Sequence, residues 1–186
     1  TLCLLVETAQ GPVLIDTGPG RDDYAHPPWI LRLFQLFARL PMDVNETAVQ
    51  QVARMGYAAE DVRQIVLTHM HFDHCGGLGD FPNATVHVHE REYQAFRGIP
   101  HQLTDLAYVR RHVAHAARLV LYKEQGESWY GLPAIRLPFQ REMWLVPLHG
   151  HTRGHCGVAI RMDVGWHFHV ADAAPIALEE YAPAWL

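Results

Sequence analysis

The segment Thr68-His69-Met70-His71-Phe72-Asp73-His74 places three imidazoles and one carboxylate within six positions. It directly follows an apolar run at 64–67, the kind of run that forms a buried strand. If the chain leaves that strand extended, His69 and His71 point the same way, and Asp73 and His74 can turn toward a neighbouring position. Imidazole nitrogen and carboxylate oxygen are the donors preferred by zinc and other late first-row divalent ions. Cys75-Gly76-Gly77 then lets the backbone turn sharply beside such an ion. A lone histidine in a loop is usually just solvated, but four ligand-type side chains at this spacing read as a metal site.

A second group, Leu148-His149-Gly150-His151-Thr152-Arg153-Gly154-His155, follows the β-rich stretch 143–146. Asp172 closes the stretch 166–171, and a carboxylate at the end of an apolar strand is a usual place for a ligand or catalytic group. The whole chain of 186 residues carries 14 His against 15 Lys+Arg, which sets histidine apart from everything else in the composition. The balance of 15 basic and 20 acidic residues, net −5, offers no electrostatic footprint for nucleic acid or an anionic membrane. No apolar run approaches the roughly 20 residues of a membrane span, and no signal segment opens the chain. Cys3, Cys75 and Cys156 are too few and too scattered for a disulfide framework, and free thiols fit a reducing cytoplasm.

The elements that must position these groups are short. Apolar runs at 2–7 and 13–16 around Gln10-Gly11-Pro12 predict a hairpin, broken by Asp16-Thr17-Gly18. Helical spacing predicts helices over 28–39, 44–55 (with an Asp43/Glu46 capping box and Gly56 as C-terminal cap), 90–97 and 104–118. Strands are expected at 64–68, 85–89, 119–123, 134–137, 143–146, 157–162 and 166–171. There are no repeats and no linker, so 1–186 reads as one domain of α/β (α+β) class with largely antiparallel pairing.

At these residues the sequence resembles the metallo-β-lactamase-fold superfamily of hydrolases. His69 to His74 match its His-x-His-x-Asp-His motif, and Gly150 to His155 match Gly-His-Thr-x-Gly-His. Leu14-Ile15-Asp16-Thr17-Gly18 matches its early turn, and Asp172 falls where the family places a bridging aspartate. The resemblance implies an αββα sandwich with a dinuclear zinc site at one edge. His69, His71 and His151 would hold one ion, and Asp73 and His74 the other. Asp172 would bridge them, with Asp16 and His155 supporting the ligand loops. Two such ions about 3.5–4 Å apart would share a water, lower its pKa toward 7 and present a zinc-bound hydroxide to an ester, lactone, thioester or amide of a small molecule. Asp73 would be the catalytic group, binding metal and orienting the nucleophile.

Two departures accompany the resemblance. The family supplies a further histidine beyond the bridging aspartate, and none follows Asp172 here. The strand that usually precedes the first hairpin is also missing, so truncation at both ends is expected. The competing reading is a metal-binding, non-catalytic module with an incomplete second site, holding one ion. The lactonase-like branch is the nearest match in order and spacing, although Ala173, Ala174 and Pro175 stand where lactonases place a tyrosine. The segment 27–55 reads either as a helical lid over the site or, preferably, as a hairpin burying its own apolar stripe. The pairs His87/His89, His167/His169 and His112/His115 lie on common faces and read as structural, with His89 the nearest to the metal motif. The oligomeric state is left open.

Overall fold

The structure is a computed structural model that describes residues 2–38, 43–100, 103–114 and 118–174. Alternating apolar side chains build its first sheet. β1 (Leu4–Thr8) and β2 (Gly11–Ile15) form the expected hairpin. On β2, Val13 and Ile15 face one side and Leu14 the other, and all three are buried. A strand buried on both faces belongs inside a sheet and needs cover on each side. The chain then passes through α1 (Arg21–Ala25), α2 (Trp29–Ala38) and α3 (Ala48–Arg54) before β3 (Gln64–Val66). The short α4 (Phe72–Cys75) precedes β4 (Thr85–His89), and α5 (Glu90–Arg97) precedes β5 (Arg118–Tyr122). These strands add to β2 in the order β1-β2-β3-β4-β5.

The second sheet is antiparallel. A small hairpin of β6 (Ser128–Trp129) and β7 (Leu132–Pro133) leads into β8 (Ile135–Arg136), β9 (Met143–Pro147), β10 (Cys156–Arg161) and β11 (Trp166–His169). The sheet order is β11-β10-β9-β8. Val13, Ile15 and Val66 of the first sheet meet Met143, Leu145, Val158 and Ile160 of the second. Each such side chain contributes about 1.5–3 kcal/mol by leaving water. The opposite face of the first sheet presents Leu14, Ile65, Val86 and Val88 to Val52 of α3 and Phe96 of α5. The layers are therefore helix, sheet and sheet. Over the outer face of the second sheet, Trp129, Trp144, Trp166 and Phe168 cover Ala134, Val146 and Ala159.

Several expectations need correction. Antiparallel pairings outnumber parallel ones among the described strands, as expected, but the first sheet departs from this because β2-β3, β3-β4 and β4-β5 are all parallel. The intervening helices carry the chain back across one face, which is how parallel neighbours are connected. The helix expected over 104–118 is two 3-10 turns, Leu103–Ala107 and Arg110–Val113, and Arg118 already belongs to β5. Within it Asp105 accepts from Arg153, while Arg111 and His112 reach Asp23. The region 44–55 divides into a 3-10 turn, Val44–Glu46, and α3. Asp43 caps Asn45, while Glu46 accepts from Gln51 instead of closing a capping box. Gly56 ends the helix at φ +91° as expected. On α2, Leu31 is buried while Trp29, Leu33 and Leu36 are exposed, so the stripe is not wholly self-buried. Residues 39–42, at the end of the expected 28–39 helix, lie outside the described residues, as do His101 and His115.

The topology gathers the chemistry at one edge. Asp16 leaves β2, His69 to His74 leave β3, His149 to His155 join β9 to β10, and Asp172 follows β11. Among the described residues no helix is long and apolar enough to cross a membrane. All three cysteines are free thiols.

His87 gives the fold a pH dependence. Its ring is buried on β4, with Nδ1 2.8 Å from the Tyr122 hydroxyl and Nε2 2.6 Å from Gln64 Oε1. Burial, assisted by Arg118, lowers its pKa from 6.5 to about 4. The unfolded chain therefore takes up a proton that the folded chain refuses, so this contribution is complete above about pH 6.5 and fades as the pH falls toward 4. Between pH 7 and pH 5 the wild-type protein should lose about 2 kcal/mol that a His87→Gln variant does not lose. Guanidinium unfolding at the two pH values measures it, and equal losses in both proteins would refute the assignment.

Candidate metal centre

β3 ends at Val66, and the chain bends at Thr68 and again at His71, carrying the buried His69 and His71, before α4 begins at Phe72. The single turn of α4 swings His74 back beneath His69, their ring centroids 3.9 Å apart. The loop between β9 and β10 brings in His151, whose Nε2 lies 3.1 Å from His71 Nδ1. Asp172 reaches across the whole cluster. Its oxygens lie 3.2 Å from His151 Nε2, 3.4 Å from His74 Nε2 and 3.9 Å from His69 Nε2. Two groups result, His69/His71/His151 and His69/His74/Asp172, each with its donor atoms within 4.8 Å of one another. Asp73 sits beside them, its carboxylate 3.7 Å from His74 Nε2.

The Nε2 atoms of His69, His71 and His74 are buried and have no hydrogen-bond partner in the protein. One buried, unpaired polar atom costs about 1–3 kcal/mol. The Nε2 atoms of His69 and His74 face the Asp172 carboxylate, and His71 meets His151 through Nδ1, so together these side chains form a donor set that a divalent cation satisfies. The protonation states agree. Burial, then the neighbouring imidazoles, hold His69 well below the ordinary histidine range, and burial followed by His151 lowers His71 to about 4. Both rings are therefore neutral near pH 7, with lone pairs to donate. Burial opposes charge on His74 as well, but Asp16, Asp172 and Asp73 overcome it and raise the pKa to about 10. Burial also works against ionised Asp172, yet His74 and the other imidazoles bring it down to about 2.

Two buried carboxylates hold the ligand loops. Asp16 is fully buried and sits at φ +56°, a left-handed conformation that aspartate tolerates better than most residues. Its Oδ1 accepts from Thr68 N at 2.8 Å, and its Oδ2 meets Thr68 Oγ1 at 2.7 Å and His74 Nδ1 at 2.9 Å. An imidazole whose other nitrogen bonds a carboxylate is the usual form of a metal ligand. Glu92, on α5, is equally sealed from water. Its Oε1 accepts from Met70 N and from the Tyr108 hydroxyl, and its Oε2 accepts from Thr152 Oγ1 at 2.6 Å and Gly154 N at 3.1 Å. One side chain thus binds the His69–His74 segment to the His151 loop. A Cβ on Gly154 would collide with the Glu92 backbone, so this approach requires glycine. His155 closes the same loop, Nδ1 lying 3.2 Å from Leu148 O.

The family model for the metallo-beta-lactamase superfamily matches residues 1–177. The chain belongs to this superfamily. It is 41% identical over 173 residues to a "probable metallo-hydrolase" of Mycobacterium tuberculosis, covering 91% of this chain and 55% of the relative. It is 37% identical over 164 residues to an N-acyl homoserine lactonase of a Bacillus species, covering 87% and 58%. The chain spans about half the length of these curated relatives. In fold it is similar to a solved B. thuringiensis AiiA variant with N-decanoyl-L-homoserine bound at the active site, at TM-score 0.70 and 23% identity over 97% of this chain and 67% of the other. It is also similar to an N-acyl homoserine lactone hydrolase carrying N-hexanoyl-L-homoserine at its catalytic metal centre, at TM-score 0.69 and 24% identity over the same shares.

Within this metallo-beta-lactamase fold, the structure brings together His69, His71, His74, His151 and Asp172, with Asp73 at their edge and Asp16 and His155 behind them. Glu92 and Tyr108 are additions that sequence reasoning missed. Glu92 sits in Glu90-Arg91-Glu92, which reads as a solvated first helical turn, and nothing in that run marks the second glutamate as buried. Tyr108 places its ring 5.1 Å from that of His71. Asp16 is set apart from an ordinary turn aspartate only by the Leu14-to-Gly18 match already noted. Replacing Glu92 with Ala strands four donors and should destabilise the protein by about 3–5 kcal/mol. The milder Glu92→Gln should stay folded and bind zinc about 10–100-fold more weakly. A chelator-competition titration reads this, and unaltered zinc affinity in folded Glu92→Gln would show that the carboxylate does not position the ligands.

Proposed function

We propose that the chain forms the metal-holding part of a zinc-dependent hydrolase that cleaves an ester or lactone bond of a small molecule. The observation that carries this reading is the convergence of the Nε2 atoms of His69, His74 and His151 on Asp172, at 3.9, 3.4 and 3.2 Å. His69, His71 and His151 would hold one ion, His74 and Asp73 a second, and Asp172 both. Zinc bound there supplies Lewis acidity and a water activated near neutral pH. The chain's own residues do the rest. Asp16 fixes the His74 ring and Glu92 fixes the spacing of the two ligand loops. Asp73, partly exposed beside His74, can accept a hydrogen bond from a water and aim it at a substrate carbonyl.

A cleft of about 540 Å³ opens on Asp73, His74, His169 and Asp172, and Leu2 and Phe168 give it apolar walls. Such a volume suits a small molecule. A larger cleft of about 650 Å³, along Glu7, Arg141 and Arg161, is lined by none of the clustered histidines and has no part in this reading. The likeness to N-acyl homoserine lactonases supports a lactone or related ester over an amide. The net charge of −5 argues against nucleic acid, and the free thiols fit a reducing, cytoplasmic setting.

The alternative, a metal-binding module without turnover, is favoured by one observation. Among the described residues no further histidine joins the His74 group at the same spacing. Activity and metal content separate the two readings. The full-length protein should hold two zinc ions at this centre and hydrolyse esters or lactones. His69→Ala and Asp73→Asn should each lower kcat/KM at least about a hundredfold, the upper end of the loss produced by residues that only orient ligands. A folded His69→Ala/Asp73→Asn protein with wild-type turnover would overturn the hydrolase reading.

A further inference from the structure

A third group of ligand-type side chains lies outside the centre described above. His89 ends β4, Glu124 follows β5 by two residues, and His149 precedes His151 by two in the β9–β10 loop. Both carboxylate oxygens of Glu124 face an imidazole: Oε2 lies 3.2 Å from His89 Nε2 and Oε1 lies 3.8 Å from His149 Nε2. The two rings stand 5.5 Å apart at 71° to one another, so they are not stacked. All three donor atoms fall within 4.8 Å of one another, the same limit that holds for the His69/His71/His151 group. Donors on a tetrahedral zinc lie about 3.3 Å apart, given bonds of about 2.0–2.1 Å. The His89–Glu124 edge is already near that length, and the His149 side must draw in by about half an ångström or bind through the other carboxylate oxygen.

We propose that His89, Glu124 and His149 form a separate site for one zinc or similar first-row divalent cation, with solvent completing the coordination. Two imidazoles and one glutamate are an established zinc donor set. The His89 side chain is buried, while the Glu124 and His149 side chains are 40% and 27% exposed and can close on an ion. One adjustment is required. His89 Nδ1 accepts from Arg91 N at 3.2 Å as the cap of α5, which leaves the ring proton on Nε2, facing Glu124. Binding through Nε2 moves that proton to Nδ1 and releases the cap, a change that weakens the site by only about fivefold. The ion would join the ends of two parallel strands to the loop that carries His151. The site draws on none of the residues assigned to the hydrolytic centre.

The test is metal content of the full-length protein, dialysed at about 1 μM free zinc. Wild-type protein should retain one ion more per chain than Glu124→Gln. A His69→Ala/Asp172→Asn variant, impaired at the central site, should keep that extra ion and lose it when Glu124→Gln is added. Zinc should also raise the Tm of the double variant and leave that of the triple variant unchanged. Equal zinc content with and without Glu124, or an equal zinc effect on Tm in the double and triple variants, overturns the proposal. Failure of the hydrolase reading would show as absent turnover and leaves this comparison of zinc contents unchanged.

Discussion

The Asp16 carboxylate is out of reach of water, and ionised groups in that position must find their hydrogen bonds within the protein or forfeit several kcal/mol. Asp16 finds them in Thr68 and His74, across more than fifty residues of sequence. That requirement draws the end of β3 against the end of β2 and fixes the turn of α4. The aspartate accepts a left-handed backbone to do so, and its amide bonds Val66 O at 2.9 Å. The orientation of the His74 ring, and with it the side of the cluster shared with Asp172, follows from this one buried charge.

Glu92 plays the corresponding part on the other side. The first sheet supplies His69 and His71, the second sheet supplies His151, and nothing in strand pairing alone sets the distance between them. Four hydrogen bonds to one carboxylate do. Arg153 bonded to Asp105 and Tyr108 bonded to Glu92 extend the same tie to the 103–113 segment. Ala171, at φ +46°, turns the chain so that Asp172 faces the histidines. A left-handed alanine is strained by about 1–2 kcal/mol, and such strain tends to sit at functional positions.

The arrangement also explains the charge states. Burial keeps His69 and His71 neutral, while paired carboxylates keep His74 charged until a cation replaces its proton. The centre therefore holds neutral donors beside an ionised Asp172, a balance that a divalent cation completes. Apolar packing between the two sheets lends these polar groups their low-dielectric surroundings, so the core and the site are one energetic unit.

The sequence by itself determined which atoms can hold a metal. Ligand chemistry is local, and His-x-His-x-Asp-His after an apolar strand, Gly-His-Thr-x-Gly-His after another and Asp172 after a third all announced themselves by type and spacing. The strands were legible for a similar reason, since a period of two records which face is buried. Only the tertiary structure decided how these pieces meet. The parallel pairing of β2 to β5, the division of the 104–118 segment and the burial of Glu92 each depend on contacts between residues far apart in the chain, where side-chain type carries no record of its partner. Glu124 and His149 show the same limit: nothing local pairs them, and only the ends of β4 and β5 and the β9–β10 loop, brought to one edge, set them around His89.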